Sequence, residues 1–545
     1  MKSTITPQEH FAYVSNPQIQ RSTFDRSHGY KTSFDAGLLI PVFVDEALPG
    51  DTFNLKTSLF GRLSTPLKPV MDNIVIDLHF FSVPQRLLWE NWQKFNGEQE
   101  NPGDSTNFIM PTVTAPAGGF TEGSLHDFMG LPTKIAGIEV RTDFLRAYAK
   151  IWNEWYRDEN LQNQAYCPTD DGPDAPGSQI ILPRGKRKDY FTSALPFPQK
   201  GTAVSIPIGS TATVTGTVGA NLSDYQRIKY DYTGGAIDTT LTGNNAAGSG
   251  NITLNTTLNT AGSFGFANSN RQLIFYPPTG GFSHNLVADL SSATATTINQ
   301  LREAFQIQRM YEKDARGGTR YTEVIRSHFG VISPDARLQR PEYLGGGSTN
   351  VNINPIAQTS NSVSGSTPQG NLAAMGTFAT HGKGFVKSFT EHEIIIGMVS
   401  ARADLTYQQG INRMWSRSTR FDFFWPSLAH LGEQAILNKE IYAQGTAADD
   451  NVFGYQERYA EYRYKPSQVT GLFRSNSAAS LDVWHLAQEF SALPALNNIF
   501  IVENPPIDRI VAVPSEPHFL LDCYFDLKCA RPMPTYAVPG LIDHF

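Results

Sequence analysis

The residues whose types could support chemistry fall into a few groups, and their spacing decides what each can do. Glu391, His392 and Glu393 are three consecutive metal-ligand types. Neighbours on an extended strand point to opposite faces, so the three cannot converge on one ion unaided, and the expected reading is a polar strand start. Gly376, Gly382 and Lys383 approach the pattern of a phosphate-binding loop, but one residue too many separates the glycines. Gly384 also stands where a Ser or Thr should reach the metal. Asp170 with Asp171, and Asp449 with Asp450, are adjacent carboxylates in turn-like sequence, where Asp is favoured for local hydrogen bonding. His-Glu-x-x-His, Cys-x-x-Cys and Gly-x-Ser-x-Gly patterns are missing, so the sequence assigns no catalytic, cofactor-binding or metal-binding residue, and no enzyme activity is expected.

The remaining chemistry is electrostatic. Arg184, Lys186, Arg187 and Lys188 form the densest basic cluster, followed by Tyr190 and Phe191. Cations beside aromatic rings suit single-stranded nucleic acid, through phosphate neutralisation and base stacking. The same run also suits a solvated loop, or pairing with acidic neighbours across a subunit interface, because a charge run does not name its partner. Arg413, Arg417 and Arg420 form a second, weaker DNA-facing candidate.

These residues must be carried by strands and turns. The chain has 545 residues, 40% hydrophobic and 17% charged, with 45 Gly and 34 Pro, a composition of many strands joined by turns and long loops. In Asp72–Trp92, Ile74, Ile76, Leu78 and Phe80 share one face of an extended segment, and Val75, Asp77, His79 and Phe81 share the other. Pro84 lacks an N–H, so pairing should stop there, and Leu88, Trp89 and Trp92 then form an aromatic anchor. The run Phe519, Leu521, Cys523, Phe525, Leu527 and Cys529, alternating with polar residues, predicts a second clear strand with both cysteines facing the core. At ~20 Å apart along that strand the two thiols are too far to bridge. EIIIGMVSARADL predicts a further strand, and helices are predicted over residues 141–163, from Ile298 through Tyr311, and over TRYTEVIRSHFG.

The net charge is −7, so the chain as a whole is no general nucleic-acid binder and any such contact must be local. Three cysteines are too few for a disulfide framework, and neither an apolar leader nor a membrane-length apolar run is found. Folding in a reducing cytoplasm is the expectation.

Several blocks carry a family resemblance: SFDAGLLIPVFVDEALPGDTF, RLSTPLKPVMDN, DLHFFSVPQRLLWENWQKFNGE, RAYAKIWNEWYRDENLQ, GGTRYTEVIRSHFGVISPDARLQRPEYLGG, FDFFWPSLAHLGEQAILNKEIY, GYQERYAEYRYKPSQVTGLFR and LKCARPMPTYAVPGLIDHF. Together they resemble the major capsid proteins of the gokushovirus group of Microviridae, small icosahedral bacteriophages with circular single-stranded DNA. The resemblance implies a mainly β fold: an eight-stranded antiparallel jelly-roll β-sandwich of viral capsid type, with long loop insertions and a few helices. It implies a T=1 shell of identical subunits in the virion. An internal scaffolding protein, a small basic DNA-binding protein and a DNA pilot protein are implied as partners. The rival is a secreted β-sandwich that binds or hydrolyses carbohydrate, for which no converging pair of acids is found.

The domain expectation has three parts. Residues 1–33 form an extended N-terminal arm; residues 34–200 and 297–545 form the jelly-roll core; residues 201–296, rich in Thr, Asn, Gly and Ser, form a surface insertion. By resemblance this insertion clusters into threefold spikes. Its polar, charge-poor sequence suits contact with a bacterial surface glycan, with Tyr225, Tyr230, Tyr232, Asn244, Asn245, Phe264 and Phe266 as candidate contacts. Residues 345–384, rich in Gly, Ser and Asn, read as a second polar excursion.

Overall fold

The computed structural model describes residues 20–202, 204, 213–216, 228–232, 271–275, 286–289, 298–335, 338–360 and 369–536. Two apolar faces have to be hidden from water, and two antiparallel sheets hide them against each other. The chain-ordered strands are β1 (Ser22–Asp25), β2 (His28–Phe34), β3 (Ile40–Ala47), β4 (Thr52–Leu63), β5 (Ile74–Pro84), β6 (Glu342–Asn350), β7 (Asn352–Ala357), β8 (Leu372–Ser388), β9 (Glu393–Ala403) and β10 (Phe519–Arg531). The first sheet runs β1-β10-β4-β8-β7, with β2 also paired to β10, and the second runs β6-β5-β9-β3. The chain crosses repeatedly between sheets, so β4 and β5 lie in different layers, as do β8 and β9. Phe53, Leu55, Leu59, Phe378, Phe519, Phe525 and Cys523 from the first sheet meet Ile40, Val42, Ile76, Leu78, Phe80, Ile395 and Val399 from the second in one buried core. This is an antiparallel β-sandwich, mainly β as the sequence predicts; the described facing sheets hold six and four strands rather than two sets of four.

β10 has the period of a half-buried strand: Phe519, Leu521, Cys523, Phe525, Leu527 and Cys529 are all buried, while their neighbours reach the surface. β9 differs, because its residues are buried on both faces. The second face of its sheet is covered by α1 (Asp143–Ile151), whose Leu145, Tyr148 and Ile151 pack on Phe81, Val83, Ile394, Ile396 and Met398. Burial on both sides explains the continuous apolar run EIIIGMV, which carries no two-residue period. β5 stops at Pro84, opposite Glu393, and Leu88 and Trp89 are fully buried beyond it; the Trp89 indole donates to Asp171 at 2.6 Å.

One reading is corrected. Residues 345–384 are no loop excursion, since they contain most of β6, all of β7 and most of β8. The glycines are there because backbones meet closely: a Cβ on Gly346, at φ +151°, would stand 2.0 Å from the Leu78 carbonyl oxygen. The described part of the N-terminal arm is extended but docked, with β1 and β2 paired to β10 from Ser22↔Arg531 to Phe34↔Phe519.

Contacts divide the chain into two units, residues 1–202 with 310–545, and residues 203–309. The described strands of the second unit are two antiparallel pairs, Ile228–Tyr232 with Arg271–Phe275 and Thr213–Gly216 with Leu286–Asp289. The helix Ile298–Gly317 (α2) spans the boundary, and α3 (Tyr321–Phe329) ends on Gly330 in the left-handed conformation, as the sequence predicts.

Candidate functional site: a charged cavity and an exposed aromatic loop

The outward face of β5 forms the floor of a cavity of about 640 Å³. His79 and Phe81 of β5, Tyr343 of β6 and Arg402 of β9 line it, together with Trp155 and Tyr156 from the wide helical turn that ends α1. The chain from Arg184 to Lys188 forms one wall, and the link between α2 and α3 forms another.

Its electrostatics centre on Asp77, which is buried below the floor. Arg402 lies 2.5 Å and Arg184 3.5 Å from its carboxylate, and Ser348 Oγ donates at 2.6 Å. Burial pushes this carboxyl up, but the Ser348 hydrogen bond and the two guanidinium charges outweigh burial and hold it below its usual range. His79 is pushed down to about 4 by burial, with Arg184 adding repulsion, so it is neutral at pH 7; its Nδ1 lies 2.9 Å from the Tyr156 hydroxyl. The Arg184 guanidinium lies 4.6 Å from the Tyr156 ring centre.

The structure brings Arg184, Lys186 and Lys188 to this cavity but does not make them a surface patch. Arg184 and Lys186 are buried because their backbone amides pair with the carbonyls of Gly37 and Ile501, which draws that stretch inward. Lys186 donates to Gln488 at 2.9 Å and sits 4.6 Å from the Phe500 ring centre; burial lowers it to about 8, against the opposing pull of Glu503. Arg187 pairs with Asp404 at 3.2 Å and Lys188 with Asp158 at 2.7 Å. The cavity's other cations are similarly engaged: Arg157 with Glu159, Arg320 with Glu159 and Glu323, and Arg316 with Glu433. The charge run is therefore largely paired within the chain, with Asp77, Asp404 and Asp158, and is neither a free loop nor a patch awaiting acids from another subunit.

The second basic candidate is also internally engaged. Arg413 pairs with Glu440 at 2.9 Å, and Arg417 with Glu461 at 3.4 Å while stacking 4.1 Å over Tyr462. Arg420 stacks 4.7 Å over Trp425. The loop that carries them instead exposes aromatic rings.

Among the other groups, Glu391 pairs with Arg86, the His392 ring meets Trp92, and Glu393 is buried, so the three point to different partners. Asp170 and Asp174 hold Arg146, a structural use of the acidic turn that sequence reasoning missed. Of the candidate glycan contacts, Tyr225, Asn244, Asn245, Phe264 and Phe266 lie outside the described residues; Tyr230 and Tyr232 belong to the strand Ile228–Tyr232.

Two antiparallel sheets packed face to face, with no converging catalytic group among the described residues, define a β-sandwich protein. The family model described as "Capsid protein (F protein)" matches residues 12–541, so the chain belongs to that family. It is 50% identical over 542 residues to capsid protein VP1 of Bdellovibrio phage phiMH2K, covering 99% of this chain and 98% of that one. It is 45% identical to capsid protein VP1 of Chlamydia phage 1 and 37% identical to that of Spiroplasma virus 4, each match covering 97% of both chains. The chain is a structural capsid protein, as its sequence blocks implied.

Proposed function

We propose that the chain is the repeating subunit of a T=1 icosahedral shell that encloses a circular single-stranded DNA genome. The observation that carries this reading is the family match along nearly the whole chain, from residue 12 to residue 541. The sandwich supplies a rigid wall, and closed symmetry turns modest subunit contacts into a stable container. Assembly occurs in the bacterial cytoplasm with an internal scaffolding protein, a small basic DNA-binding protein and a DNA pilot protein. A separate basic partner suits a subunit of net charge −7. Residues 201–296, nearly all of which fall in the second contact unit, reach the bacterial surface and bind glycan. Electron microscopy and light scattering of the purified chain test the shell: closed particles of uniform diameter are expected, and a stable monomer under assembly conditions would overturn the reading.

For the genome-facing role, the exposed members of the basic groups are the informative ones. Arg187, Lys188 and Arg420 keep part of their side chains at the surface, whereas Arg184 and Lys186 hold the fold. Replacing Arg187 and Lys188 by Gln should lower the DNA content per particle; unchanged content removes them from the DNA contact.

A further inference from the structure

The loop Gly410–Leu431 places an apolar surface in water that the described residues of the subunit do not cover. Trp415 is 76% exposed, Phe421 63%, Phe423 51% and Phe424 50%, with Tyr462 at 48% and Trp425 at 40% beside them. At ~200 Å² for each aromatic side chain, these fractions amount to about 650 Å² of exposed ring surface. That equals or exceeds the roughly 300–600 Å² of the largest patch on an ordinary monomer. It approaches the ~800 Å² that each partner contributes to a standard stable interface.

Part of this surface is held in place although it is exposed. The Trp425 indole donates to the Arg420 carbonyl at 3.1 Å, and the Tyr459 hydroxyl donates to the Phe421 carbonyl at 3.2 Å. The Phe424 amide donates to the Tyr462 hydroxyl at 3.3 Å, and the Phe424 ring stands edge-on to Tyr459 at 5.3 Å. Asp422 accepts from the backbone amides of Ser418 and Thr419, closing the turn that presents Phe421. A surface fixed in this way loses little conformational freedom on docking.

Aromatic rings with arginines could face either a protein or single-stranded DNA, and the charges separate the two. A DNA groove needs guanidinium groups free for phosphate, yet Glu440 and Glu461 already hold Arg413 and Arg417. The loop's exposed cation, Arg420, lies over the Trp425 ring at 4.7 Å, and around it the outward surface is ring and aliphatic, the aromatic and arginine-rich composition of a protein interface core. We infer that the Trp415–Trp425 loop is a docking surface for a second copy of this chain. The inference rests on the shell reading above, and it assigns a place on the subunit to the contact that reading requires.

The test uses the full-length chain. Trp415→Ser with Phe421→Ser changes two surface rings, so the far-UV circular dichroism and melting of dissociated subunits should match the unsubstituted chain. Particle yield in sedimentation should fall roughly tenfold or more, as for loss of interface hot spots. Yield within about twofold of the unsubstituted chain, too small an effect for such residues, overturns the inference. So do normal particles with reduced DNA, which would turn the loop toward the genome. Failure of the unsubstituted chain to assemble overturns the shell reading itself, a distinct result. Met414→Cys gives an independent readout with the rings intact: maleimide should label it in dissociated subunits and be excluded in particles. Equal labelling rates in the two states overturn the inference.

Discussion

Replacing Arg146 by Met should destabilise the subunit by about 3 kcal/mol, the lower end of what breaking a buried ion pair costs. Arg146 is 1% exposed, and its Nε and Nη2 donate to Asp174 at 2.9 and 2.6 Å. Its Nη1 donates to the carbonyls of Leu88 and Asp170 at 3.1 and 2.9 Å, so one side chain ties α1 to the exit of β5 and to the acidic turn. Methionine leaves the Asp174 carboxyl buried without its guanidinium partner, with the Thr142 hydroxyl at 2.5 Å and the Gln179 amide at 3.1 Å as remaining donors. Those two donors place the expected cost near ~3 rather than ~5 kcal/mol, since they offset part of the desolvation of the unpaired carboxyl. Removing both charges, Arg146→Met with Asp174→Leu, leaves no buried ion and should recover at least about half of the loss. The assay is urea unfolding of dissociated subunits, followed by circular dichroism and tryptophan fluorescence, with the two probes required to coincide. A loss below about 1 kcal/mol for Arg146→Met, the range of an exposed pair, would refute the reasoning. So would a double variant as unstable as the single one.

Further outcomes follow from individual side chains. Gly346→Ala forces a Cβ against the Leu78 carbonyl and should cost about 1–3 kcal/mol of backbone strain, read as a lower urea midpoint; an unchanged midpoint counts against the close approach of β6 and β5. Phe525→Ala empties a site with no exposed surface and should cost ~3–5 kcal/mol in the same assay, whereas a loss under ~1 kcal/mol contradicts its place between the sheets. Burial pushes Glu393 from 4.5 up to about 7, so the folded chain holds a proton that the unfolded chain has released, and stability should fall as pH rises from about 4.5 to about 7. Glu393→Gln should make that decline shallower without abolishing it, because Glu503 is likewise raised to about 7; a slope identical to the unsubstituted chain refutes the assignment. Cys523, pushed up to about 12 by burial, should react with a thiol reagent only after unfolding; rapid labelling of native subunits contradicts its burial.

How much was readable depended on how a segment is buried. Alternation in β10 and in the inner face of β5 fixed those strands and their core residues, because one face meets the core and the other does not. β8 hid itself for a specific reason. Ala374, Gly376 and Phe378 face inward at even positions, but a bulge at Gly382, between His381 and Lys383, shifts the parity so that Phe385 is the next large inward residue. The two-residue period breaks there, and a strand of 17 residues looks like polar loop. The exposed aromatic loop was visible as FDFFW, but not whether those rings lay in the core or in water.

By itself the sequence determined the fold class, the family and the strands with one wet face, because hydrophobic period and motif blocks are local properties. It could not determine what the charges do. Arg184, Lys186, Arg413 and Arg417 form basic runs on paper, and only the folding of distant segments brings Asp77, Glu440 and Glu461 to them. A charge acts through neighbours in space, so tertiary structure decided which cations are paired within the subunit and which rings, those of the aromatic loop, stand in water.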